Sequence, residues 1–249
     1  MIDELLSAVA RSPEMVAAHD REGWVGLFAD DFRVDDPVGS RPVLPDDGPD
    51  PKASLRRFWD AFIAANDIRF EVHHEVPRDD HVVRDVTIHT RMPEGVEIQT
   101  PAHLRYDFRR GDDGLEITHM QAFWELVPNL RQSIRPTTAH ARALTAMPAR
   151  MVRAQGVGGL AGFMSAMRGS VGRRGKLAVL DLLANAQRGD RTALDRLGGL
   201  APVATDKVIA AGRFVTASVT IDGSPGLLYA TFSPRTTAIR KIDVYPVTS

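Results

Sequence analysis

The groups in this chain that could move protons are carboxylates and imidazoles crowded into its first half. Asp35 and Asp36 stand side by side before Pro37, and His73, His74, His89, His103 and His119 fall in stretches that read as strands. General acid–base chemistry needs one titratable side chain within reach of the reacting atom, with a pKa tuned by its surroundings. Adjacent strand residues face opposite ways, so only one of two neighbouring acids can face an interior, and Asp35 is expected in solvent beside the turn. Taking Leu104, Tyr106 and Phe108 as inward turns His103 and Asp107 outward. Taking Met120, Ala122 and Trp124 as inward does the same for His119. His73 and His74 cannot share a face. The histidines therefore read as interface or surface residues, and no pair has metal-ligand spacing.

Other chemistries lack their residues. Without cysteine, disulfides, thiolate metal sites and cysteine nucleophiles are excluded. The glycine-rich run Val157 to Gly162 lacks the lysine and preceding strand of a phosphate loop. No metal and no cofactor is expected.

The elements that must hold these groups follow from periodicity. Ser12-Pro13-Glu14 reads as a helix start, with Met15 to Arg21 following. A short helix from Gly23 would carry Trp24, Leu27 and Phe28 on one face. Pro51 to Asn66 is the clearest helix, because Leu55, Phe58, Trp59, Phe62 and Ile63 fall at i, i+3, i+4, i+7 and i+8. Ile68 to Val76, His81 to Met92, Val96 to Arg109 and Leu115 to Leu126 read as strands separated by Pro and Gly turns. Helices followed by an antiparallel meander predict an α+β domain whose sheet closes over the helices.

Length and charge set the larger organisation. The chain has 249 residues, 43% apolar and 25% charged, and a net charge of −1. Residues 1–125 carry 14 basic and 26 acidic side chains, residues 126–180 carry nine basic and none acidic, and the remainder carries eight basic and six acidic. That divides the chain into an acidic domain over 1–127, a basic connector over 128–175 and a near-neutral part over 176–249. In the connector, Leu144, Met147 and Met151, then Leu160, Phe163, Met164 and Met167, have helical spacing. Pro148 and the cluster Gly156, Gly158 and Gly159 should break it into short helices. Arg142, Arg150 and Arg153 could meet an anionic membrane or a partner; the competing expectation is packing on the acidic first domain or in a homodimer. Nucleic acid is not expected, because the basic run lacks stacking aromatics.

In the last part, Lys176 to Gln187 reads as a helix with Leu177, Leu180 and Leu183 on one side. A break at Arg188-Gly189-Asp190, a second short helix through Leu197 and four short strands follow. The plan repeats that of the first domain in shortened form, and its expected role is structural. The start MIDELLSAVARSPEM has no basic opening or continuous apolar run, so it does not read as a signal peptide. No stretch approaches the roughly 20 apolar residues of a membrane span. A cytoplasmic protein, with peripheral membrane contact through the connector as the variant, is expected.

The segment LFADDFRVDDPVGSRP resembles the one by which bacterial ketosteroid isomerases and SnoaL-like proteins of the nuclear transport factor 2 superfamily are recognised. Phe58-Trp59 resembles the Phe-Tyr pair on the family's third helix, and Met120, Ala122 and Trp124 resemble the inward residues of its last strand. The resemblance spans about 110 residues. It implies a cone-shaped half-barrel, usually dimeric, whose general base falls on Asp36. The isomerases pair such a base with an oxyanion hole made by a tyrosine and a protonated aspartate. Here the tyrosine position falls on Met15 and the aspartate position on Leu104, or His103 with the register moved by one. SnoaL-like cyclases place an acid–base pair on the sheet, for which Asp85 or Asp107 could be nominated, although alternation turns Asp107 outward. The resemblance implies a ligand pocket lined by Met15, Phe28, Trp59, Leu104, Tyr106, Met120 and Trp124. Two functions follow as expectations: binding of a steroid, polyketide or lipid with proton transfer by Asp36, or non-catalytic lipid binding and membrane attachment through the connector.

Overall fold

The computed structural model describes residues 2–128, 138–165 and 169–247, apart from the side chains of residues 144 and 155. The first helix, α1, runs over Ile2–Ala17 with Pro13 inside it. The sequence placed its start at Ser12-Pro13. Leu5, Val9, Ser12 and Val16 form one buried stripe, and that face carries the helix through a proline that removes one backbone bond. Helix α2 covers Arg21–Gly26, capped by Asp20, whose carboxylate accepts from Gly23 N at 2.8 Å.

Phe28 is not on that helix. It opens strand β1, Phe28–Asp35, in which Phe28, Ala29, Phe32, Val34 and Asp35 are buried. The acids at 30 and 31 interrupt the alternation, which hid this strand from the periodicity. Helix α3, Ala53–Phe62, buries Leu55, Phe58 and Trp59. Four strands follow: β2 at Asp67–Arg78, β3 at His81–Arg91, β4 at Glu97–Gly111 and β5 at Gly114–Phe123. They form the expected antiparallel meander, and β1 adds to its end parallel to β5, giving the order β1-β5-β4-β3-β2. In register, Tyr106 faces Met120 and Val82, while Leu104 faces Ala122 and Arg84. These side chains share the inner face of the sheet, over the core of Trp24, Phe28, Phe58 and Trp59.

The described part of the connector, α4, Thr138–Met164, is two helical stretches joined by a kink at Gly156, whose φ is 71° and ψ 178°. The expected break therefore falls at the glycine cluster, and Pro148 does not interrupt the first stretch. Met147 joins Met92, Val96 and Ile98, and Met151 and Phe163 join Leu126 and Trp124. The segment thus folds back on the first domain and covers the open end of the cone. Met167 lies outside the described residues, as does the side chain of Leu144.

The rest comprises α5, Gly172–Gln187, α6, Arg191–Arg196, and strands β6, Pro202–Ala211, β7, Phe214–Ile221, β8, Ser224–Phe232, and β9, Ile239–Pro246, in the order β6-β7-β8-β9. Of the face expected for α5, Leu183 is buried but Leu177 and Leu180 are exposed, and Val179, Leu182 and Ala186 complete the buried side. This second sheet lies on the outer face of the first. Val38, Val76, Val83 and Phe123 pack there against Ile209, Ala211, Leu227, Tyr229 and Tyr245. No helix among the described residues is long and apolar enough to cross a membrane.

Candidate functional site

Asp35 ends β1 and Asp36 follows it, so the two carboxyls diverge. Asp35 is buried on the outer side, against expectation. It accepts from Arg33 at 2.7 and 2.8 Å and lies 2.7 Å from His119 Nε2. Burial alone would raise its pKa, but His119 and Arg33 hold it below the ordinary carboxylate range. A paired carboxylate of this kind stays ionised and structural.

Asp36 turns into the cone, where it lines a cavity of about 190 Å³. Burial among apolar side chains pushes its carboxyl up to about 6, and the indole N–H of Trp124, donating to Oδ1 at 2.7 Å, pulls the other way. Such a group is poised to gain and lose a proton near neutrality, as a general base requires.

Around Asp36 the walls are mainly apolar: Trp24, Phe58 and Phe62 from the helices, Leu104, Met120 and Ala122 from the sheet. Ser12 and Tyr106 bring hydroxyls to the chamber, besides those of Thr90 and Thr100. Ser12 Oγ accepts from Trp24 Nε1 at 3.2 Å. Tyr106 is buried, which raises its phenol pKa; the nearby Arg84 guanidinium and Ser12 draw it back down. Toward the mouth, Thr90, Thr100 and Arg150 bring polar groups, and Met147 and Phe163 of α4 close over them.

Of the residues chosen from sequence, Asp36, Leu104, Tyr106, Met120 and Trp124 line this cavity. Met15, Phe28 and Trp59 do not. Phe28 and Trp59 are fully packed in the core behind the wall, each against Trp24, and Met15 packs on the same core. The helical turn explains Met15: the stripe that faces the cone runs through Ser12 and Val16, three before and one after it. The cavity thus takes hydroxyls from Ser12 and Tyr106, and Met15 and His103 are not among its lining residues. Ser12 was hidden by its resemblance to a helix cap.

His103 faces away from the cone and is completely buried between the sheets. Its Nδ1 lies 2.7 Å from Thr216 Oγ1 and its Nε2 3.0 Å from Ser218 Oγ. Burial drives its pKa down to about 3, with Asp85 opposing and Lys207 assisting. Ser218 in turn donates to Asp85 at 2.6 Å, and Lys207 Nζ bonds to Asp85 and, at 3.0 Å, to the Val86 carbonyl. Asp85 therefore belongs to the junction between the two halves. Asp107 also faces outward, accepting from Arg105 at 2.7 Å. His73 meets Thr87 and His89 meets Glu71, each at 2.9 Å on the outer surface.

The three arginines grouped as a surface contact separate. Arg142 and Arg153 are exposed on α4, whereas Arg150 lines the cavity and donates to Glu94 at 2.8 Å. Arg84, which the sequence reading passed over, is a buried cation on the inner face of β3. Its signal was present: in His-Val-Val-Arg-Asp-Val, alternation from Val82 and Val86 puts Arg84 with them.

A family model described as a SnoaL-like domain matches residues 9–120. Among solved structures, the Rv0760c protein of Mycobacterium tuberculosis is 31% identical over 51% of this chain and 95% of its own, with a TM-score of 0.43. A Δ5-3-ketosteroid isomerase from Mycobacterium sp. is 29% identical over 50% of this chain and 95% of its own, with a TM-score of 0.42. The Rv0760c protein has also been solved in complex with estradiol-17β-hemisuccinate, a structure that matches at 31% identity over 50% of this chain and 95% of that one, with a TM-score of 0.42. No curated protein sequence matches the chain.

Proposed function

Because the chain belongs, through residues 9–120, to the SnoaL-like family of the nuclear transport factor 2-like superfamily, we propose that its cone takes up a hydrophobic carbonyl compound and that Asp36 moves a proton on it. Fold membership alone assigns no reaction. The observation that carries the proposal is Asp36 itself: one carboxyl in an apolar chamber, held by one indole N–H, with its pKa raised to about 6.

The chemistry is an enolisation. Asp36 takes a proton from the carbon beside the carbonyl, the C–H pair moves into the enolate, and the oxygen becomes negative. Tyr106 and Ser12 are the hydroxyls placed to donate to that oxygen, and a donor of this kind is worth about 2.7–4 kcal/mol where one has been removed from an oxyanion hole. Protonated Asp36 then returns its proton to the same carbon or, in a conjugated enolate, to another, so no net proton is consumed. The aromatic walls suit a flat or greasy ligand of the steroid, polyketide or lipid kind. The second reading of the sequence, docking on an anionic membrane through the connector, retains only Arg142 and Arg153 on an exposed face, since Arg150 pairs with Glu94.

The test is exchange of the α-proton of bound β,γ-unsaturated ring ketones in deuterated water, with binding followed by tryptophan fluorescence. Asp36→Asn should slow exchange by about 10²–10⁴-fold while affinity holds. Exchange at the solvent rate in the wild-type protein, or undiminished in Asp36→Asn, would sink the proposal.

A further inference from the structure

Arg84 occupies a place where a cation is expensive. Its side chain shares the inner face of β3 with Val82 and Val86, both fully buried in the apolar core, and the residue is only 3% exposed. Removing a guanidinium from water costs several kcal/mol unless good partners replace the solvent. Directly across on β2 stands Glu75, whose Oε1 lies 2.6 Å from Arg84 Nη2. Nε and Nη1 have no hydrogen-bond partner among the described residues. Replacement of solvent is therefore incomplete, and packing alone would favour an apolar residue here.

The strand register gives the charge a second neighbour. Arg84 pairs with Leu104, and Tyr106 is two residues on along β4, opposite Val82. That diagonal on one face is within reach of a long side chain. The phenol of Tyr106 opens onto the cavity that holds Asp36, whereas Arg84 stands behind it, outside the lining. Across the sheet the order is thus Glu75, Arg84, Tyr106, and of the three Tyr106 lines the cavity.

We propose that Arg84 is a positioning residue that acts through Tyr106, holding and polarising its hydroxyl as the donor to an oxygen bearing negative charge in the cavity. The inference deepens the enolisation reading and rests on it for its purpose, but its physical content is narrower. A buried phenol can donate to an anion in an apolar chamber, and how strongly it does so depends on the charge beside it. A fixed cation behind it stabilises negative charge shared between the phenol and the ligand oxygen, and in a medium of low dielectric that field is little screened. The guanidinium, permanently charged, supplies it at every working pH. Glu75 sets the strength by neutralising part of it.

The test uses the intact chain and reads binding, not turnover. The probes are a naphthol whose fluorescence separates its neutral and ionised forms and the naphthalene of the same outline lacking the hydroxyl. Arg84→Met should weaken the ionised naphthol by about tenfold or more, equal to one pKa unit, while the naphthalene binds as before; Arg84→Lys should restore most of the loss. Glu75→Gln, which leaves the guanidinium in place, should shift the bound naphthol toward its ionised form and serves if Arg84→Met does not fold. Equal losses for both probes in Arg84→Met, or no change in ionisation in Glu75→Gln, would overturn the proposal. Because neither readout needs Asp36, an Asp36 without exchange activity beside a responsive naphthol would remove the reaction and leave the role of Arg84 standing.

Discussion

Trp124 holds Asp36 by a single bond, Nε1–H to Oδ1 at 2.7 Å, from just beyond the last strand of the first sheet. The indole stands against Phe163 of α4, so the covering helix, the tryptophan and the carboxylate form one contact chain. The donor favours the ionised form, and burial opposes it.

Trp124→Phe keeps the aromatic wall and deletes the donor. A hydrogen bond to a charged group contributes about 1.5–3 kcal/mol, so the Asp36 carboxyl should rise by roughly one to two pKa units, read as the midpoint of its ¹³C chemical shift against pH. An unchanged midpoint would mean that burial alone sets the value. Asp36→Asn checks the same balance through stability. A carboxyl raised from 3.8 to about 6 on folding binds more protons in the native state between those values, so stability falls as pH rises through that window and stays lower above it. Asp36→Asn should therefore be more stable than the wild type by up to about 3 kcal/mol at pH 8, with the gain vanishing near pH 4. A denaturant midpoint at each pH decides it.

His103 shifts in the other direction. Its pKa of about 3 lies below the ordinary value of 6.5, so the unfolded chain binds the extra proton and stability is lost as pH falls from about 6.5 toward 3. Asp85, Lys207, Thr216 and Ser218 face it; Asp85 is held below the ordinary carboxylate range, so it titrates only in stronger acid. Asp36 changes in the opposite sense between pH 7 and 5, so the measurement belongs in an Asp36→Asn background. There the protein should lose about 2 kcal/mol between pH 7 and pH 5. His103→Gln should flatten that loss while lowering stability at pH 7 by about 1–3 kcal/mol, because Thr216 and Ser218 lose a partner. An equally steep loss in His103→Gln would place the acid sensitivity elsewhere.

The α3 helix and the four-strand meander were legible because their apolar spacing is nearly unbroken over ten or more residues. Strand β1 was not: Asp30, Asp31 and Arg33 are exposed on a strand whose partner, β5, lies far along the chain, and a parallel edge pairing leaves no local turn to announce it. Pro13 and Pro148 were read as boundaries, yet both lie inside helices whose buried faces override them. At the site, Asp36 and the wall residues Leu104, Tyr106, Met120 and Trp124 could be named from strand alternation and the family resemblance. Ser12 could not, because a serine before proline is also a cap signal. His103 was turned outward by strand alternation and Asp85 was nominated for an acid–base pair on the sheet, but nothing local to either says that Thr216, Ser218 and Lys207, more than a hundred residues away, would cover them. Burial across a domain junction is a property of the pair of surfaces.

That junction has a point with no room for a side chain. Gly39, three residues past Asp36, has φ 96° and touches Gly212, which has φ 51°; a Cβ on Gly39 would lie 2.6 Å from Gly212 Cα and 2.8 Å from its N. Both contacts are backbone, so no rotamer can relieve them. Gly39→Ala should destabilise the protein by more than the roughly 1 kcal/mol of an alanine forced to positive φ, and it should loosen the docking of the second sheet. Gly95→Ala is the matched comparison, because Gly95 has φ 82° with nothing within 4 Å of the added carbon. Hydrogen exchange at the amides of Thr216 and Ser218, together with the denaturant midpoint, separates the two effects. Greater instability and faster exchange in Gly39→Ala than in Gly95→Ala would assign the difference to the glycine contact. Equal values would mean that the sheets stay docked through the apolar cluster and the His103 network alone, and that the close approach of Gly39 to Gly212 is incidental.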